Sequence, residues 1–432
     1  MNAKQCSGCK TITTVLFLLM FAAVSIPSDV SFFTPLINLL KWIPGISVVT
    51  EVGDFTLTQY RFSFVELLLF LVPIVLLWQV YKQKLVIRRS WILVVFLVLC
   101  LYIAGSSFLN RELYTGLKYV CYLLCASVVS LFDPDKKITI RRYCYRLIVL
   151  AGIVNSVALL IQFFMLWNGS LTWTTLRTVR PDGIMLDSII AGALNSFAVS
   201  VILFENKVFR AKDWLQIGLL GISGILTGSR SFYLLLAFIL FLYLLSNKGK
   251  LTGKLQILII GLIVIFMVEF AFPSVHEMAL EMLSSAGSAT DSRAMKQQLA
   301  LKLFQEHPIF GAGADQYSAY EQSYSHNQIS GLNGTNPHNI YLQMLCEHGL
   351  VGACLMFLVL AGIVVRMIRA RDITALALVG QYLILGYTLG ITGNVRITML
   401  ICTVCCSITT LYNTKDKKLC RYHRYRKADA PC

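Results

Sequence analysis

The chain has 432 residues, of which 56% are hydrophobic and only 14% are charged, and its formal net charge is +16. A soluble domain carries roughly 25% charged residues, and a water-soluble core could not bury this much apolar surface. The basic residues stand in short clusters between apolar runs, which is typical of membrane topology and argues against nucleic-acid binding. We therefore predict an all-α, polytopic membrane protein.

Apolar runs along the chain predict twelve transmembrane helices, since each span needs about 20 predominantly apolar residues. One span more or fewer would also fit the sequence. The first run is interpreted as a retained helix rather than a cleaved signal peptide. The predicted spans are 11–27, 62–81, 91–108, 113–131, 147–167, 187–204, 214–228, 231–246, 255–272, 350–366, 373–392 and 397–413.

The distribution of charge predicts the orientation. Alternate connections are basic, and together with the two ends of the chain they hold 27 of the 38 lysines and arginines but only 7 of the 22 acids. Because cytoplasmic connections carry the excess of basic residues, both termini are predicted to lie in the cytoplasm. The predicted regions are spans one to nine in 1–272, a large outer loop between spans nine and ten in 273–337, spans ten to twelve in 338–413, and a basic cytoplasmic tail in 414–432.

Arginines on the predicted outer side run against this charge bias. Arg177 and Arg180 lie in an outer loop, where a functional role or a solvated or headgroup contact would each account for them. Arg230 lies in the turn between two runs of only about 15 residues, which at 1.5 Å per residue extend ~22 Å against a hydrocarbon core of ~30 Å. We therefore predict that this turn sits in a water-filled recess below the outer surface.

A guanidinium at that depth needs an anionic partner. A diphosphate suits its fork of donors best. The alternative is an internal salt bridge from Arg230 to an acid such as Asp187 or Glu269.

The large loop contains two further features. Residues 292–307 carry an i, i+4 apolar stripe, which predicts an amphipathic helix lying on the membrane or on the loop, with Arg293 in its first turn. Asn336 and Pro337 form a predicted helix start that places His338 in the first turn, where the helix dipole keeps its imidazole neutral near pH 7. The alternative for His338 is a capping or packing role. The remaining loop histidines are interpreted as structural, and no metal site is predicted.

Residues 336–352 resemble the signature of the O-antigen ligase and polymerase superfamily of bacterial envelope enzymes. The pattern is His338-Asn339, nine residues, Gly349, two residues and Gly352. The Thr-Gly-Ser-Arg turn at 227–230, the Pro-Ile-Phe-Gly-Ala-Gly stretch at 308–313 and the twelve-span layout are also similar to the family. The resemblance is strongest over 174–366, whereas the first 150 residues agree only in hydropathy.

The resemblance implies an inverting glycosyltransferase in the bacterial cytoplasmic (inner) membrane, with its active site on the outer face. Its donor would be an undecaprenyl-diphosphate-linked oligosaccharide and its acceptor a glycan or glycolipid, with membrane lipids around it and no cofactor or metal. His338 and Arg230 would be catalytic. Arg180, Arg177 and Arg293 would bind the donor diphosphate, and the sequence leaves open which of the two loop arginines does so.

Three functions remain open on the sequence. A repeat-unit polymerase of surface polysaccharide is slightly favoured, and an O-antigen ligase that transfers glycan to a lipid core acceptor would use the same reaction. A polysaccharide transporter or lipid flippase would also have about twelve spans. Transporters commonly show repeated halves, and the irregular features here all fall within 168–352, which favours a transferase.

Overall fold

The computed structural model describes residues 46–49, 54–57, 60–63, 91–110, 119–120, 122, 129, 134–167, 181–185, 187–206, 209–246, 286–328, 337–388 and 395–408. These residues are predominantly α-helical, which confirms the predicted helical class. The helices are α1 (Trp91–Leu109), α2 (Pro134–Trp167), α3 (Ser188–Glu205), α4 (Ala211–Leu226), α5 (Arg230–Leu245), α6 (Ala286–Glu306), α7 (Gln316–Gln328), α8 (Ile340–Ala370), α9 (Ile373–Thr388) and α10 (Val395–Cys406).

One small antiparallel sheet precedes these helices and was not predicted. Its strands are β1 (Ile46–Val49), β2 (Asp54–Leu57) and β3 (Tyr60–Ser63), paired in the order β1-β2-β3. The register places Ile46 opposite Leu57 and Phe55 opposite Phe62. The third strand takes up the first two residues of the run 62–81 that was predicted as a span.

Four described helices are long and apolar enough to cross a membrane: Trp91–Leu109, Lys137–Met165, Ser188–Glu205 and Ile340–Ala370. The helices Arg230–Leu245 and Ile373–Thr388 are also apolar but shorter. These six correspond to spans three, five, six, eight, ten and eleven of the prediction. The predicted spans 11–27 and 255–272 lie outside the described residues, as does most of 62–81 and 113–131, so the count of twelve stays a prediction.

The centre of the helical bundle is α3, almost all of whose residues are buried. It packs against α2, α4, α5 and α9. Its polar side chains hydrogen-bond to those of its neighbours: Asn155 Nδ2 of α2 donates to Asn195 Oδ1 at 2.9 Å, and Asn195 Nδ2 donates to Ser223 Oγ of α4 at 2.9 Å. Since apolar surroundings penalise unpaired polar groups, these bonds hold three helices in one register.

The polar segment, which we define as residues 286–328 and 337–339, packs mainly against α8. The predicted stripe of the amphipathic helix is buried there: Leu299 and Leu303 of α6 form a cluster with Tyr317 of α7 and Cys346 of α8. The stripe therefore contacts other protein residues, which was one of the two surfaces expected for it. Helix α9 contacts both α3, at the centre of the bundle, and α8, against which the polar segment packs.

Candidate active site

The turn between α4 and α5 presents Arg230. Thr227 and Ser229 are buried, and Gly228 adopts a positive φ of 58° that lets the chain reverse. Thr227 Oγ1 donates to the carbonyl of Gly224 at 2.6 Å and accepts from the amide of Ser229 at 3.3 Å. The turn is thus fixed by its own hydrogen bonds, and Arg230 begins α5 with its side chain exposed.

Of the two acids proposed as alternative partners for Arg230, Asp187 has another role. Its carboxylate caps α3, accepting from the amides of Ile189 at 2.7 Å and Ile190 at 3.2 Å. Glu269 lies outside the described residues. One described neighbour whose charge interacts with that of Arg230 is another cation, Arg293.

Helix α6 brings Arg293 to the same place. Partial desolvation lowers the pKa of Arg293 from its usual value, and the positive charge of Arg230 lowers that pKa further. Arg293 and Arg230 belong to helices far apart in sequence, and the fold places them within electrostatic range of each other. Two guanidinium groups whose charges interact in this way are suited to an anionic ligand.

His338 is within electrostatic range of Arg293, although its local structure differs from the prediction. Helix α8 begins at Ile340, and its N-cap is Asn339 rather than Asn336; the Asn339 side chain accepts from the amides of Tyr341 at 2.9 Å and Leu342 at 3.2 Å. His338 therefore precedes the cap instead of standing in the first turn. It adopts a positive φ of 51°, which is uncommon for a residue other than glycine.

The imidazole of His338 is neutral near pH 7 for a different reason from the one predicted. Burial lowers its pKa to about 4, and the charges of Lys296 and Arg293 contribute to the same shift. The helix dipole is not needed to account for this. A half-buried neutral imidazole next to cations can accept a proton once an anion offsets those cations.

Lys296 is the residue of this site that sequence reasoning missed. It follows Arg293 by one helical turn of α6, is 5% exposed, and its ammonium lies 3.5 Å from a carboxylate oxygen of Glu321. Burial raises the pKa of Glu321, and the neighbouring Lys296 lowers it. The available signal was the spacing of three residues, which places Arg293 and Lys296 on one face of a helix.

A kink in α8 connects the site to the motif glycines. Gly349 interrupts the helix with φ 62° and ψ −165°, which frees the carbonyls that precede it. The segment 308–313 fills the gap: the amide of Ala312 donates to the carbonyl of Cys346 at 2.9 Å, and the amide of Gly313 donates to that of Glu347 at 2.8 Å. A Cβ atom on Gly349 would collide with the carbonyl of Ile309.

The second motif glycine and α1 complete this arrangement. A Cβ atom on Gly352 would collide with the side chain of His348. The Tyr102 hydroxyl of α1 donates to the carbonyls of Phe310 at 2.8 Å and His348 at 3.1 Å, and its ring lies edge-on to that of His348. The motif residues therefore meet two structural requirements. His338 lies just before the start of α8, and Gly349 and Gly352 allow the kink within it.

The loop that carries the two remaining arginines enters the bundle at its end. Arg177 and Arg180 lie outside the described residues. The residues just after them are buried, and Gln162 of α2 holds them: its Oε1 accepts from the amides of Asp182 at 3.1 Å and Gly183 at 2.8 Å. Their part in the site stays a prediction.

His307 is exposed, and the His326 side chain lies outside the described part of the chain. Within the described residues, no three His, Cys, Asp or Glu side chains are grouped so that they could hold a metal ion.

The part of the chain that carries the candidate site is similar to a known protein family. Residues 216–357 match the family model described as O-antigen ligase. The match covers 142 of the 432 residues, and it agrees with the resemblance of the motif to the O-antigen ligase and polymerase superfamily. The matched region extends from α4 to the first half of α8, so it contains Arg230, Arg293 and His338. No curated protein matches the chain.

The described part of the chain also contains four helices that are long and apolar enough to cross a membrane.

Proposed function

We propose that this protein is a glycosyltransferase that takes a glycan from undecaprenyl diphosphate and joins it to a hydroxyl of an acceptor sugar on the outer face of the membrane. The observation that supports the proposal is the cluster of cations around a neutral imidazole: Arg230, Arg293 and Lys296 are close enough to His338 or to one another for their charges to interact. Cations suit the donor diphosphate, and the imidazole suits the acceptor hydroxyl.

The reaction is a single displacement. His338 accepts the proton of the acceptor hydroxyl as its oxygen attacks the anomeric carbon. The bond from that carbon to the phosphate oxygen breaks, and its electron pair leaves with the carrier diphosphate. Arg230 and Arg293 stabilise the negative charge that develops there. Attack from the face opposite the leaving group inverts the anomeric centre, and the mechanism assigns no metal or nucleotide.

The low pKa of His338 fits an ordered reaction. At about 4, it makes the imidazole a weak base while the donor is absent. A bound diphosphate places negative charge beside Lys296 and Arg293, which offsets the field that depresses the pKa. The imidazole therefore becomes a stronger base when the donor is in place, and a deprotonated acceptor is formed only when it has a glycan to attack.

Polymerase and ligase share this chemistry and differ in the acceptor. We favour the repeat-unit polymerase slightly, as the sequence did, and the description of the matched family supports the ligase as the second candidate. The transporter is the third candidate, and neither a cation cluster nor a base is required for it.

A deletion strain separates the three functions through its carrier-linked glycans. Single repeat units on the carrier indicate a polymerase, and long chains that are never attached indicate a ligase. Carrier trapped on the inner side indicates a transporter and would contradict the proposed chemistry.

The orientation is tested with topology reporters. A reporter fused after Asn333 is expected to read as external and one fused after Lys418 as cytoplasmic. A cytoplasmic signal at Asn333 would place the cation cluster on the wrong face for this donor.

A further inference from the structure

The ion pair between Lys296 and Glu321 is buried where α6 crosses α7. Lys296 is 5% exposed and Glu321 is 0% exposed, and 3.5 Å separates the ammonium nitrogen from the nearer carboxylate oxygen. The Tyr317 hydroxyl donates to the backbone carbonyl of Lys296 at 2.9 Å, which fixes this turn of α6 relative to α7. The position of the ammonium is therefore set by two contacts from one helix.

A purely structural role accounts poorly for this pair. Removing two charges from water is costly, and apolar residues of similar volume commonly stabilise a protein as well or better. The contact is long for a charge-assisted hydrogen bond, whose usual length is about 2.7–2.9 Å. Neither carboxylate oxygen of Glu321 has a hydrogen-bond partner within the described residues. A pair held in this way leaves the ammonium able to contact a second anion.

The location of Lys296 indicates where that second anion lies. Lys296 stands one turn along α6 from Arg293, on the same face of the helix. Its charge reaches His338, and the charge of Arg293 reaches both His338 and Arg230. Lys296 thus shares a face of α6 with Arg293, whereas Lys302 of the same helix lies at an exposed position six residues further on.

We propose that Lys296 is a further catalytic residue, whose ammonium contacts the donor diphosphate beside Arg230 and Arg293, and that Glu321 is the positioning residue that holds this ammonium in place. This inference rests on the proposed function. A lysine can fill the role because its ammonium is a compact point charge with three donors, which can contact a phosphate oxygen while it stays paired with Glu321. Glu321 offsets one of the three positive charges, which allows them to be held together before the donor binds.

Binding of farnesyl diphosphate to the purified full-length protein tests the proposal, with farnesyl monophosphate as the comparison. Lys296→Gln is expected to weaken diphosphate binding roughly 10-fold or more, since one charge-assisted contact is lost. Monophosphate binding should change less. Lys302→Gln is the matched control, because it removes the same charge from an exposed position of the same helix, and it should bind as the wild type does.

The double variant Lys296→Met/Glu321→Gln separates binding from stability, and it decides the question if Lys296→Gln does not fold. It removes both charges, so no uncompensated charge stays buried. We expect near-normal thermal stability together with the weak diphosphate binding of the single variant. Normal stability with wild-type binding would show that the pair is structural and would overturn the proposal.

The pH profile provides a readout that a structural role would not move. Removing the positive charge of Lys296 takes away one cause of the lowered pKa of His338, so the acid limb of kcat/KM should shift to higher pH. An unchanged limb would contradict a position facing His338. If the wild type binds farnesyl diphosphate no better than Arg230→Gln does, the proposed function itself fails, which is distinct from failure at Lys296 alone.

Discussion

Polar side chains are arranged differently in the bundle around α3 and in the polar segment. In the bundle, amides and hydroxyls are matched in complementary pairs, such as Asn155 with Asn195. In the polar segment, α6 and the start of α8 bring groups of the same sign together, with Arg293 and Lys296 next to His338. Complementary pairing lowers the energy of the folded chain, and clustered like charges raise it. We therefore propose that the first arrangement serves stability and the second serves an anionic ligand.

The largest expected effect comes from the imidazole of the cation cluster. Loss of a general base typically costs 10²–10⁴-fold in rate, so His338→Gln should leave a normally abundant protein that binds donor but transfers little glycan. Turnover is measured in vitro with purified protein at matched concentration. His307→Gln is the control, because His307 is exposed on the same segment. Turnover of His338→Gln within a few-fold of the wild type would remove the base from the mechanism.

The next effect distinguishes a fork of donors from a point charge. Arg230→Lys keeps the charge but loses bidentate geometry, and we expect activity to fall roughly 10- to 100-fold, which corresponds to about 1.5–3 kcal/mol for a charged hydrogen bond. The transfer assay is run at equal membrane levels. Arg369→Lys, at an exposed position near the end of α8, should stay close to the wild type. Equal activity of Lys and Arg at position 230 would favour a surface role.

A substitution at the kink of α8 should lower the thermal stability of the protein more than its rate of transfer. Gly349→Ala places a Cβ atom against the carbonyl of Ile309 at a positive φ. A left-handed conformation alone costs about 1–2 kcal/mol for a non-glycine residue, so thermal unfolding in detergent should occur at clearly lower temperature. Gly218→Ala is the matched control, since a Cβ atom there meets nothing within 4 Å. Equal loss of stability in both variants would show that the kink is not special.

The smallest effect tests the contact that α1 makes with the kink. Tyr102→Phe removes the hydroxyl that donates to Phe310 and His348, which should cost about 1 kcal/mol of stability. Tyr387→Phe, at an exposed position of α9, should cost less. Chemical unfolding of the two variants side by side measures the difference. Identical midpoints would mean that α1 contributes only apolar packing.

Apolar helices were predictable from sequence because a run of membrane length has few other stable structures. The runs 187–204 and 231–246 agree closely with α3 and α5. Helix α2 starts well before the predicted 147, because its basic first turns are helical although they are not apolar. Helix α7 was missed altogether. Its sequence is polar, and its fold depends on burying Tyr317 and Glu321 against α6 and α8, which no local pattern shows.

The sequence also predicted part of the candidate site. Arg230, Arg293 and His338 could be singled out as exceptions to charge bias or from the family motif, and in the structure the charge of Arg293 interacts with Arg230 and with His338. The start of α8 was misplaced because Asn336-Pro337 and His338-Asn339 both offer cap residues, and the choice between them depends on packing. Lys296 was missed because a lysine on an amphipathic helix usually points to solvent, whereas here it is buried and paired with Glu321 of α7.

The segment 308–313, which hydrogen-bonds to α8 at the Gly349 kink, also has a consequence for when the candidate site can form during synthesis. The amides of Leu350 and Val351 donate to the carbonyls of Pro308 and Ile309, and Tyr102 reaches the same junction from more than 200 residues away. Contacts this distant in sequence form late, since the chain between them must be ordered first. The order of synthesis therefore delays the candidate site, because the kink of α8 cannot be completed until Val351 has left the ribosome and been inserted.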